Sequence, residues 1–164
     1  MLGGLMIDNS SWDQIADQVI EGDFYRRDHR LIFRAIAALS QESDPCDVVT
    51  LSEWLDSHNQ LDAAGGISYL GGLAKNTSTA ANIQAYAAIV RERSALRQLT
   101  RVATEIGDMA YNPEGRGNVE ILDRAGQLVR EVSNDTGSGR DMSGILSEMI
   151  DALEQRFQSK GITG

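Results

Sequence analysis

SALRQLTRVATEIGDMAYNPEGRGNVEILDRAGQLVREVS, residues 94–133, decides the fold. It reads as two helices folded back on each other, Ser94 to Tyr111 and Asn118 to Ser133. Asn112-Pro113-Glu114-Gly115-Arg116-Gly117 lies between them. Proline cannot continue a helix, and the two glycines reach backbone angles that other residues resist. A connection of this length suits a return to an antiparallel neighbour. At ~1.5 Å per residue each arm spans roughly 25 Å.

In the first arm Leu96, Leu99, Ala103, Ile106 and Ala110 recur at alternating spacings of three and four, with Val102 and Met109 alongside. The second arm carries Ile121, Ala125, Leu128 and Val132, with Leu122 and Val129 alongside. One stripe per arm suffices to zip the hairpin shut. The doubled stripes leave apolar surface that two helices cannot hide from each other. A second hairpin packed face to face would cover it, and so would the chain's own N-terminal part. Periodicity does not choose between them. The candidate self-association residues are Leu96, Leu99, Val102, Ile106, Met109, Leu122, Leu128, Val129 and Val132.

Outward from the hairpin, the pattern is helical and no β-branched alternation persists. Leu2–Ile7 reads as the last turns of a helix. Ser10 or Ser11 caps a second through Ile20, with Trp12, Ile15, Ala16, Val19 and Ile20 inward. Phe24 and Tyr25 are expected to plug the core. Asp28 opens a third helix on Leu31, Ile32, Ala35, Ile36 and Leu39, broken at Ser43-Asp44-Pro45. Asp47 caps a fourth with Val48, Leu51, Trp54 and Leu55. A fifth covers Ile67 to Ala74, and a sixth begins at Ala80 and runs towards Ser94. The chain thus divides into a helical globular subdomain (1–93), the hairpin (94–133), a polar Gly-rich linker (134–141) and a last helix with the start of the next linker (142–164). That last helix carries Met142, Ile145, Leu146, Met149, Ile150, Leu153 and Phe157 on one stripe. An isolated amphipathic helix is marginal in water. A groove on another chain would cover the stripe, as would docking on its own domain. Both ends of the sequence read as cut from something longer.

Composition narrows the function. The 164 residues carry a net charge of −9, with a hydrophobic fraction of 41% and 5% aromatics. A balance this acidic works against tight nucleic-acid binding, which needs clustered Lys and Arg. Cys46 is the sole cysteine, which excludes an intramolecular disulfide and fits a reducing compartment. The sequence has neither an apolar run of membrane-spanning length nor a basic signal-peptide n-region, so the cytoplasm is the default expectation.

The chemical motifs are thin. Gly65-Gly66 and Gly71-Gly72 are the nearest glycine pairs to a phosphate loop, yet no Gly-Lys-Ser or Gly-Lys-Thr follows either. They read as a turn and as close helix packing. His29 and His58 have no ligand partner at metal spacing. Cys46 reads as a buried thiol. Asp13 and Asp17 stand one helical turn apart, as a metal pair or as exposed charges. Arg93, Arg97 and Arg101 form a stripe that would touch nucleic acid or pair with Glu92 and Glu105. No catalytic, cofactor-binding or metal site emerges.

Several ordered pieces carry a resemblance. Leu2-Gly3-Gly4-Leu5-Met6-Ile7-Asp8 is followed by Asp23-Phe24-Tyr25 and His29-Arg30-Leu31-Ile32-Phe33. Leu61-Asp62 with Gly65-Gly66 and Tyr69-Leu70 comes next, then Asn82-Ile83, Tyr86 and Ile89-Val90-Arg91-Glu92-Arg93. Together they resemble the start of a bacterial replicative DNA helicase of the DnaB family, over essentially the whole chain. The resemblance implies an all-α chain: a compact six-helix N-terminal domain, a long antiparallel helical hairpin and a tethered linker helix. It implies a collar that organises a hexameric ring through hairpin dimers. It implies primase, through its C-terminal domain, and in some members a helicase loader, as partners. Ile145, Leu146, Met149, Ile150, Leu153 and Phe157 would dock on the neighbouring subunit. ATP, Mg and most DNA contacts would belong to a motor domain beyond Gly164, and more helix would precede Met1. The rival readings are a free-standing helical nucleic-acid-binding or adaptor module and a small metal-dependent enzyme.

Overall fold

A computed structural model describes residues 1–135, and all regular structure among them is helical. The expected linker and last helix, with Ile145, Leu146, Met149, Ile150, Leu153 and Phe157, lie outside the described residues. The chain divides after Leu96 into two compact units.

The first unit contains α1 (Leu2–Ile7), α2 (Arg27–Gln41), α3 (Val48–Ser57), α4 (Gly66–Lys75) and the start of α5 (Ile83–Tyr111). Leu31, Ile32, Ala35, Ile36 and Leu39 of α2 are all buried, as their spacing on one helix face requires. Pairs of residues from α3 (Leu51, Leu55), the 9–20 segment (Ile15, Val19) and the later helices (Leu70, Ile83) complete an aliphatic core with Leu5 of α1. The Asp47 carboxylate accepts from Val49 N and Thr50 N, each at 2.9 Å, and Thr50 Oγ1 accepts from Asp47 N at 2.9 Å. That reciprocal cap fixes where α3 begins. α1 packs on α4 at Gly3, where any Cβ would strike Thr77 Oγ1 and the Leu73 carbonyl.

The segment after α1 is a 3-10 helix, Asn9–Gln14, not an α-helix running to Ile20. Its cap is Asp8, whose Oδ1 accepts from Ser10 N at 3.0 Å, not Ser10 or Ser11. Consecutive short polar side chains compete for the backbone amides and favour such local turns. Ile15 and Val19 still reach the core, whereas Ala16 and Ile20 face solvent. Phe24 is buried against Phe33, with ring centroids 5.0 Å apart, but Tyr25 points outward at 76% exposure. Gly71 and Gly72 also differ from the expected close packing, since a Cβ at either would meet nothing.

The second unit is the hairpin. The later part of α5 turns through residues 112–117 into α6 (Asn118–Asp135). The turn uses positive φ at Glu114 (51°) and Gly115 (83°), and closes with Arg116 N donating to Pro113 O at 2.9 Å. Glycine bears that angle without strain, whereas the glutamate does not.

Candidate interaction surface of the hairpin

Val102 and Met109 of α5 pack against Leu128 and Val132 of α6, with Ile106 and Ile121 beside them. This seam consumes one apolar stripe from each arm. Val102, Met109, Leu128 and Val132, four of the nine candidate self-association residues, are therefore buried inside the hairpin itself. Leu96, Leu99, Leu122 and Val129 are 57%, 46%, 71% and 40% exposed. Ile106 is half-buried at the seam edge.

The exposed apolar positions share one face. Each step along a helix turns about 100°. In both arms the exposed small or apolar residue directly follows a seam residue: Ala103 after Val102, Ala110 after Met109, Leu122 after Ile121, Val129 after Leu128. Both helices are right-handed and run antiparallel. An equal offset along each numbering therefore falls on the same side of the hairpin. Leu99, one turn before Ala103, joins that side. Large and small side chains are mixed on it, with Gly107 and Gly126 at helical spacing from Ala103 and Leu122. Such a surface can interdigitate with another helix pair.

The opposite side is charged. Glu105 of α5 meets Arg124 of α6 at 3.8 Å, and Arg124 lies 4.0 Å from Glu131. Arg101 and Glu105 do not pair with each other. Towards the turn this side opens into a cleft of about 1220 Å³ whose lining includes Asp108, Met109, Tyr111, Val119, Glu120 and Asp123. Sequence reading missed the cleft, although the carboxylates crowding both flanks of the turn were its visible signal.

His29 Nε2 is 2.7 Å from the Tyr69 hydroxyl, with the two ring planes nearly parallel and their centroids 6.2 Å apart. Burial holds the imidazole below its ordinary value. His58 stacks on Trp54 with centroids 3.8 Å apart. Cys46 is buried, its backbone N–H donating to Asn9 Oδ1 at 2.9 Å and its carbonyl accepting from Asn9 Nδ2 at 3.1 Å. Burial, and then Asp47, push the thiol up to about 12. Asp13 and Asp17 are exposed. No group of three or more His, Cys, Asp or Glu among the described residues could hold a metal. No described helix is long and apolar enough to cross a membrane. The sequence holds no Gly-Lys-Ser or Gly-Lys-Thr phosphate loop.

Helical packing, a doubled hairpin stripe and thin chemistry define an all-helical module with two contrasting faces. Residues 1–92 match the model of the DnaB-like helicase N terminal domain. The chain belongs to that family. It is 37% identical over 170 residues to the replicative DNA helicase DnaB of Buchnera aphidicola subsp. Baizongia pistaciae, covering 100% of this chain and 37% of that protein. Against the Haemophilus influenzae DnaB the identity is 39% over 171 residues, covering 100% of this chain and 36% of the relative. The crystal structure of the N-terminal domain of DnaB helicase from Mycobacterium tuberculosis superposes with a TM-score of 0.75 at 34% identity. That match covers 79% of this chain and 91% of the other. The chain thus spans a little over a third of the length of these helicases.

Proposed function

We propose that this chain is the collar part of a replicative helicase and that its own work is assembly and partner binding. The observation that carries this reading is the single apolar face formed by Leu99, Leu122 and Val129 of the hairpin, exposed after the arms have packed on each other. A second copy related by a two-fold axis offers the same face, so the two cover each other. Three such pairs would build the collar of a hexameric ring. Primase and a loader are the partners of the assembled collar. ATP-driven unwinding, with its Mg and its DNA contacts, belongs to the rest of the protein.

Sedimentation equilibrium at tens of micromolar tests the assembly. The unaltered chain is expected to sediment as a dimer or larger, and Leu99→Asp or Leu122→Asp to shift it towards monomer, because each would bury an unpaired charge. A monomeric unaltered chain would contradict the reading. So would variants that stay folded and keep the full mass.

A further inference from the structure

We propose that the cleft at the turn end of the hairpin is a docking site for a cationic amphipathic segment of a partner protein. The proposal rests on the partner-binding half of the reading above, and it supplies a place and a chemistry for it.

The cleft is built for charge of one sign. Arg116 lies 3.6 Å from Glu114, and Arg124 lies 3.8 Å from Glu105, so each lining guanidinium already has a carboxylate. Asp108, Glu120 and Asp123 are in no ion pair among the described residues. The carbonyl end of α5 opens at the same place, and its last turn carries no basic side chain. The N-terminus of α6 begins beside it, so the two helix ends largely offset each other. The three carboxylates without an ion pair favour Lys or Arg from outside.

The floor gives the second half of the chemistry. Met109 closes the seam beneath the cleft, while Val119 and Tyr111 stand in solvent at its rim, 74% and 95% exposed. Exposed apolar groups ringed by acids match an amphipathic helix that sets an apolar side chain between two cationic ones. The charged lining, Glu105, Arg124 and Glu120, lies on the side away from Leu99, Leu122 and Val129. Pairing of hairpins through that apolar face leaves the cleft open.

A 14-residue Leu/Lys peptide at helical spacing, with its Leu/Glu counterpart, provides the probe, read by methyl NMR on the full chain. The Leu/Lys peptide is expected to shift the Met109 and Val119 methyls saturably, and the Leu/Glu peptide to leave them still. Asp108→Asn, Glu120→Gln and Asp123→Asn together are expected to weaken binding by about tenfold, with helicity and sedimentation unchanged. Equal binding of both peptides would overturn the proposal, as would shifts confined to Leu99, Leu122 and Val129. Magnesium chloride alone reproducing the shifts would make the cleft a cation site and also overturn it. If the chain is monomeric yet the peptide seats in the cleft, the assembly reading fails and this one stands. If pairing persists and the cleft stays silent, the reverse holds.

Discussion

The Tyr69 hydroxyl lies 2.7 Å from Nε2 of His29, tying the start of α2 to α4 across forty residues of chain. Phe24 meets the same imidazole edge-on, and the Arg26 guanidinium sits 5.6 Å from the centre of the Tyr69 ring. Protonating His29 here means charging a half-buried ring beside a cation. Desolvation is the main cause of its lowered pKa. Arg26 adds to it, and Asp28 opposes it.

The sign of the resulting pH dependence follows from linkage. A base whose folded pKa is depressed binds its proton better when unfolded. Its contribution is full above the ordinary value of 6.5 and is lost as pH falls through the lower folded value. The thermal midpoint should therefore drop between about pH 7 and pH 5, above the range where Glu21 and Asp28 titrate. His29→Gln should flatten that drop while lowering the midpoint at pH 7. A wild-type slope retained in the variant would assign the effect elsewhere.

Leu128 and Leu122 separate fold from assembly. Leu128 is 2% exposed in the seam, so Leu128→Ala should cost about 2–5 kcal/mol of hairpin stability. Leu122→Ala should change stability by less than about 0.5 kcal/mol and yet weaken association. Chemical denaturation and sedimentation on the same samples check both. Equal destabilisation by the two variants would contradict the assignment of faces.

Gly3 is a point of close approach. A methyl group there would enter the space of the Leu73 carbonyl and Thr77 Oγ1, which are hydrogen-bonded to each other at 2.8 Å. The carbonyl is backbone and cannot step aside. Gly3→Ala should destabilise the first unit by about 1–3 kcal/mol in urea denaturation. An unchanged midpoint would mean that α1 shifts freely on α4.

Cys46 should be silent to thiol reagents in the folded chain. The residue is 2% exposed, and a thiol pKa of about 12 leaves almost no thiolate at pH 8. Reaction with a disulfide reagent should follow unfolding in urea rather than reagent concentration. Rapid labelling without denaturant would contradict the burial.

The family resemblance and the helical class were legible from the residues, and so were the features set by local chemistry. The α2 stripe, the Asp47 cap and the 112–117 turn each depend on neighbours within a few positions. Features decided by tertiary partners were not. Two apolar stripes sit side by side on each arm, and only the packed structure shows that Val102 and Met109 face inward while Leu99 faces out. Tyr25 and Phe24 look alike in sequence, but only Phe24 finds Phe33. Glu105 has Arg101 one turn away and meets Arg124 of the other arm instead. The cleft arises only when the flanks of the turn are brought together.

Isotope-filtered NMR on a mixture of labelled and unlabelled chains tests the central claim most directly. The account predicts intermolecular contacts to the methyl groups of Leu99, Leu122 and Val129, seen from both copies as two-fold symmetry requires. A dimer whose intermolecular contacts all fall within residues 1–96, with these methyls silent, would contradict it.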